Sequence, residues 1–145
     1  FPSRFLHFMG GASLGFTDEM KADLDDMAEI LPKANAAGVR LVLGDDYGAI
    51  GFPHGSYGEE LAYYSDEIGI PAMDVIRWAT KHGAELMGRE HELGTVTEGK
   101  LADLLVVDGD PGHDVSLLSD RANLVAIMKG GRLVKDRLPD HTRAD

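Results

Sequence analysis

The chain has 145 residues, 25 acidic and 14 basic side chains, a formal net charge of −11 and 43% hydrophobic residues. Length and apolar content suit an ordinary folded domain rather than disorder, and the acidic balance has the wrong sign for nucleic acid or an anionic membrane surface. There is no cysteine, which excludes disulfides and thiolate metal sites and leaves the cytoplasm as the default compartment. The first ten residues lack the charged start and apolar centre of a signal peptide, and no apolar run approaches the roughly 18 residues of a membrane span.

Residues 1–16 have no clear period; Gly10, Gly11 and Gly15 predict a loop, and His7 among its apolar neighbours reads as a packed histidine. Thr17 is a good N-cap, with Asp18 and Glu19 where the helix dipole favours negative charge. Met20, Leu24, Met27, Leu31 and Ala34 then recur on one helical face, although Pro32 argues against an unbroken helix. Gly38 suits the left-handed C′ position. Val39–Leu43 follows as a short apolar, β-prone run ending in Gly44, Asp45 and Asp46, the pattern of a buried parallel strand.

A glycine-rich loop with Tyr47 and His54 leads to Ser56 and Glu59, spaced as a capping box. Leu61, Tyr64 and Ile68 form the stripe of a short helix ended by Gly69. Pro71 opens the next helix, with Ala72, Val75, Ile76, Ala79, Gly83, Leu86 and Met87 on one face. Gly83 in mid-face implies close approach to a neighbouring element. From Gly88 the period changes. Thr95–Thr97, Leu104–Asp108 and Leu124–Met128 read as strands, Gly130-Gly131 as a two-residue hairpin, and Val115–Leu118 as a helical turn. Pro139 onward is expected to fray. The helices carry wide apolar faces for very little strand, so further sequence or another subunit is expected to cover them.

In a parallel α/β sheet or barrel, ligands and catalytic groups sit at the carboxyl ends of strands. Asp45 and Asp46 fall at such an end. Adjacent carboxylates repel and lose hydration there unless a cation or hydrogen-bond donors compensate them. Spacing alone leaves two readings open: a functional carboxylate pair, or a pair that only caps the turn. Lys100 and Asp103 read as structural, flanking the turn into a strand. His82, His91, His113 and His141 lack ligand spacing and read as surface or packing residues.

Several stretches together resemble the carboxy-terminal third of the amidohydrolase superfamily, in its imidazolonepropionase- and prolidase-like branch. They are Ala37–Asp46, Glu60-Leu61, Gly69–Ala84, Leu93–Asp108 and Ile127–Val134, within roughly residues 17–136. The stretch Leu93-Gly94-Thr95-Val96, continued by Gly99-Lys100-Leu101-Ala102-Asp103, is the most specific. The resemblance implies an α/β fold: the carboxy-terminal part of a metal-dependent (β/α)8 TIM barrel, followed by strands of a composite β-sandwich. Residues 1–87 would hold the last barrel strand and its helices, and residues 88–145 the sandwich strands.

By the same resemblance, Asp46 aligns with the family's metal-site aspartate, and Asp45 stands where the family usually has threonine. The family's His-x-His strand, its lysine or bridging carboxylate and its two mid-barrel histidines are not in this chain. The implied activity is hydrolysis of a C–N bond in an amide, cyclic amide or dipeptide through a metal-activated water. Zinc is the expected ion, with one or two bound in the parent enzyme. Asp46 is the catalytic and metal-binding candidate, Asp45 a second metal candidate, and His54 and Tyr47 the substrate-binding candidates. The expected partners are a small amide or peptide substrate and the missing amino-terminal barrel half or another subunit. The full-length parent is expected to be a homo-oligomer and the piece alone inactive. Two alternatives are a non-catalytic remnant or interaction module that keeps the fold, and a stand-alone Ca²⁺ or Mg²⁺ module using Asp45 and Asp46.

Overall fold

A computed structural model describes residues 18–44 and 54–138. Helix α1 (Asp18–Ala36) leads into a segment, residues 39–44, that is neither helix nor strand. Helix α2 (Tyr57–Asp66) follows, then α3 (Ala72–Arg77), which passes without interruption through a π turn (Trp78–His82) into α4 (Gly83–Leu86). Strand β1 (Leu104–Val107), a 3-10 helix (Val115–Ser119), β2 (Leu124–Lys129) and β3 (Arg132–Asp136) complete the order.

Helix α1 continues through Pro32. Proline has no N–H to donate, so the bond from position 32 to the carbonyl four residues back is missing from the ladder. Its terminus is a Schellman motif: Val39 N–H donates to the Ala34 carbonyl and Gly38 N–H to the Asn35 carbonyl, both at 3.0 Å. Gly38 has φ +76, a conformation that only glycine adopts cheaply. Leu31 packs on the core as its periodicity requires, but Met27 on the same face is 42% exposed.

The core gathers Leu61, Ile70, Ala72, Val75, Trp78 and Val115, with Leu31, Leu41, Leu43, Tyr64, Ile68, Ile76 and Leu118 packed against it. Tyr64 meets Trp78 edge to face, ring centres 5.7 Å apart, a geometry that adds to simple area burial. Val115 and Leu118 reach this core from the 3-10 helix, so residues beyond position 88 share it with the helices. The closest seat is at Gly58 in the first turn of α2, where a Cβ would lie 2.1 Å from the Leu118 carbonyl oxygen.

Three expectations are corrected here. Ser56 does precede α2, but its φ of −97° and ψ of 17° are not the extended cap conformation, and its side chain makes no cap hydrogen bond. The backbone closes the turn instead, Glu59 N–H donating to the Ser56 carbonyl at 3.0 Å. In the third helix, the π turn breaks the 3.6-residue register of the buried face. Trp78 is buried and Ala79 exposed at its start, Ala84 rather than Gly83 is buried after it, and Leu86 and Met87 are left 73% and 61% exposed. Gly83 has no close neighbour: a Cβ there would meet only the Trp78 carbonyl oxygen, at 3.8 Å. Since Gly83 also has helical φ and ψ (−60°, −43°), Gly83→Ala is expected to stabilise by about 0.5–1 kcal/mol, read as a raised denaturant midpoint.

The third correction concerns Thr95–Thr97, which form no strand. Lys100 Nζ holds that stretch, donating to Thr95 Oγ1 at 2.6 Å and to the Glu90 and Leu93 carbonyls at 2.5 and 3.1 Å. The Thr97 carbonyl accepts from Lys100 N–H at 3.2 Å, so the chain turns back here instead of extending into a ladder. The other strands form a three-stranded antiparallel sheet ordered β1-β2-β3. Gly130 and Gly131, with φ +55 and +77, make the two-residue turn between Lys129 and Arg132. Both positive angles are what a type I′ hairpin demands. Leu105 (55% exposed) on β1 and Leu133 and Val134 (47% and 66%) on β3 leave apolar surface open.

Candidate active site

Residues 39–44 lie against the helices rather than in a sheet. Leu41 and Leu43 pack on the core while Val42 between them is 39% exposed, the period-2 alternation of a strand. A strand is stabilised by a ladder partner, and none of the described strands pairs with this run. His82, in the π turn, donates from Nδ1 to the Leu41 carbonyl at 2.8 Å. Arg40 approaches Glu85 at 3.6 Å. The third helix thus holds the run that leads directly to the two aspartates. His82 was expected to be a surface or packing residue; it is half-buried with a specific backbone partner.

Asp45, Asp46 and Tyr47 lie outside the described residues, as does His7. His54 is described and exposed, its Nδ1 2.8 Å from Tyr57 Oη with the rings tilted at 52°. Tyr57 was not singled out from the sequence; its i+3 spacing from His54 was the available signal. Glu60 is 1% exposed in the first turn of α2, the end of a helix that favours negative charge. Among the described residues no group of three or more His, Cys, Asp or Glu side chains is placed to hold a metal ion. No described helix is long and apolar enough to cross a membrane.

In the stretch from Leu93 to Asp103, three residues have structural duties. Gly94, at φ +87, sits where a Cβ would fall 2.7 Å from Ala84 Cβ and 3.0 Å from Lys81 Cα and the Thr80 carbonyl oxygen. Only glycine lets this loop lie on the π turn. Lys100 gathers the loop carbonyls, and Asp103 braces the hairpin through Lys129 Nζ at 2.5 Å and Gly130 N–H at 2.6 Å. The Lys129 bond, followed by the Gly130 N–H, holds the Asp103 carboxyl below its ordinary pKa. A lowered folded pKa means stability present above the unfolded value and lost as pH falls through the folded one. Accordingly, the Asp103 carboxyl should titrate below an unfolded peptide reference by NMR, and Asp103→Asn should weaken the acid dependence of hairpin melting.

The sequence profile described as "Amidohydrolase family" matches residues 15–134. The chain is 31% identical over 124 residues to a 5-methylthioadenosine/S-adenosylhomocysteine deaminase of Syntrophobacter fumaroxidans, covering 74% of this chain and 28% of that protein. Among solved structures, it is similar to a Xaa-Pro dipeptidase with methionine bound in the active site. The TM-score is 0.65 at 37% identity, covering 74% of this chain and 25% of that one. It is also similar to Aspergillus niger ochratoxinase, at TM-score 0.71 and 25% identity, covering 84% of this chain and 28% of that one. The chain spans only about a quarter of the length of these relatives. With 120 of its residues inside the profile and the same helix-and-strand arrangement in the solved relatives, the chain belongs to the amidohydrolase family.

Proposed function

We propose that this chain is the carboxy-terminal part of a metal-dependent hydrolase that cleaves a C–N bond in a small amide, cyclic amide or dipeptide. In this reading residues 39–44 are the last strand of a (β/α)8 barrel and residues 88–145 contribute strands to a composite β-sandwich. The observation that carries it is the seating of residues 39–44. Leu41 and Leu43 enter a core made with helices on either side in sequence, and the run's carboxyl end leads into Asp45 and Asp46. That end of a strand is where barrel enzymes place their chemistry. A dipeptidase and a deaminase among the similar proteins both act, by name, at a carbon–nitrogen bond.

The described residues do not by themselves fit a catalytic ion, since they hold no three-donor cluster and such an ion takes about three protein ligands. Asp46, with Asp45 beside it, supplies one or two donors, and the parent protein's other strands supply the rest. Zinc is the ion that best suits such a hydrolase, and when bound it polarises the substrate carbonyl and lowers the pKa of water. Asp46 would be the group to take a proton from the attacking water and return it to the leaving nitrogen. His54 and Tyr47 contact substrate from the loop that follows.

The test uses the full-length protein containing this chain, as wild type and as Asp46→Asn, against dipeptides, N-acyl amino acids, cyclic amides and aminopurine nucleosides. Turnover by wild type, abolished by a chelator and restored by zinc, supports the reading. A folded, metal-supplemented wild type inert on the whole panel rejects it in favour of a non-catalytic module.

A further inference from the structure

We infer that Ser119 and Arg121 are positioning residues for the loop that carries His54, an inference that rests on the proposed hydrolase function. The two side chains reach opposite ends of one short backbone segment. Ser119 Oγ donates to the Gly58 carbonyl at 2.9 Å, and Arg121 Nη2 donates to the Gly55 carbonyl at 3.4 Å. Gly55 is at φ +102, and a Cβ there would fall 2.2 Å from Arg121 Nη2 and 3.4 Å from Cζ, so the tip of the guanidinium abuts a bare backbone. Gly58 is just as close to the Leu118 carbonyl. Two glycines are thus spent on letting residues 118–121 touch the main chain on either side of Ser56 and Tyr57.

The gripping turn is itself braced from behind. Lys135 Nζ on β3 donates to the Arg121 carbonyl at 2.6 Å, Asn123 Nδ2 to the Leu117 carbonyl at 3.0 Å, and Ala122 N–H to Asp120 Oδ1 at 2.8 Å. The supported segment then fixes Tyr57, whose hydroxyl is 2.8 Å from His54 Nδ1. A bond at one imidazole nitrogen sets both the ring's direction and the tautomer offered at the other. Through this succession of contacts the sheet aims His54 at the substrate. Both hydrogen bonds are solvent-exposed, so their loss should cost placement of the loop far more than stability of the fold.

The test is made in the full-length protein with its preferred substrate from the panel above. Ser119→Ala, which removes no charge, should raise KM about threefold, and Ser119→Ala with Arg121→Ala about tenfold, with kcat within about twofold. Amide hydrogen exchange across residues 54–60 should quicken in the double variant. Ser119→Thr with Arg121→Lys, which keeps both donors, should restore KM and exchange. Faster exchange with unchanged KM would leave only a structural brace and overturn the inference, as would unchanged exchange or a KM rise that the donor-keeping pair does not rescue. If the double variant fails to fold, Ser119→Ala alone decides between the same outcomes. A wild type without turnover fails at an earlier step, rejecting the functional reading and this inference together.

Discussion

Asp46→Asn in the full-length protein is expected to lower kcat/KM by about 10³-fold or more, while leaving the unfolding midpoint of the metal-free protein nearly unchanged. Asparagine matches aspartate in volume and keeps an acceptor oxygen, so the packing that seats Leu41 and Leu43 has no reason to change. What it loses is the negative charge and the capacity to take a proton. General acid–base catalysis at a positioned carboxylate contributes about 10²–10⁴-fold, and loss of an anionic donor weakens metal retention as well. A 10³-fold loss corresponds to about 4 kcal/mol in the barrier. Metal content and steady-state kinetics measured together divide the two causes: restored metal without restored rate isolates the proton transfer. Asp45→Asn tests the neighbouring carboxylate on the same assay, and a larger loss there than at Asp46 would reverse the assignment. Activity within about threefold of wild type for Asp46→Asn would refute a catalytic role.

What could be read from the sequence is what depends on a residue and its near neighbours. Gly38 and the Gly130-Gly131 pair were legible because positive φ is a local demand, met where expected. Leu61, Tyr64 and Ile68 were legible because a 3.6-residue period states which face is buried. Elsewhere distant contacts overrode local preference. The β-prone Thr95–Thr97 form a turn instead, closed by Lys100 N–H on the Thr97 carbonyl and by Lys100 Nζ on Thr95 Oγ1. The π turn broke the register of the third helix, leaving Leu86 and Met87 exposed, which no hydrophobic pattern records. At the candidate site, the partial burial of Leu41 and Leu43 on either side of exposed Val42 follows the expected alternation, but the parallel strand expected of Val39–Leu43 is not formed among the described residues. The His82 bond to the Leu41 carbonyl was not legible, since it joins residues 41 apart in the chain. The same holds for Ser119 and Arg121, which meet the His54 loop across more than sixty residues. In the resemblance motif at Leu93–Asp103, Gly94, Lys100 and Asp103 each answer a separate packing or hydrogen-bond demand.

Gly58→Ala is expected to destabilise the protein by about 2–3 kcal/mol, against the ordinary sign for a helix. Gly58 lies within α2, in its first turn. Helix propensity and unfolded-state entropy alone would favour alanine by up to about 1 kcal/mol. The added Cβ, however, would stand 2.1 Å from the Leu118 carbonyl oxygen, 2.5 Å from its carbon and 2.8 Å from Ser119 N. All three are backbone atoms, which cannot rotate aside as a side-chain tip can. Relief requires α2 and the 3-10 helix to separate. That movement opens the seat of Val115, 1% exposed, beside Leu61 at 8%, and stretches the Ser119–Gly58 hydrogen bond. Overpacking of this kind costs about 1–3 kcal/mol and occasionally more, so it outweighs the helix gain. Gly83→Ala is the internal control, the same substitution at a helical glycine with room for a methyl group, and its midpoint should move the other way. Equal shifts for the two variants in denaturant unfolding would mean that α2 and residues 115–119 are not in the contact described.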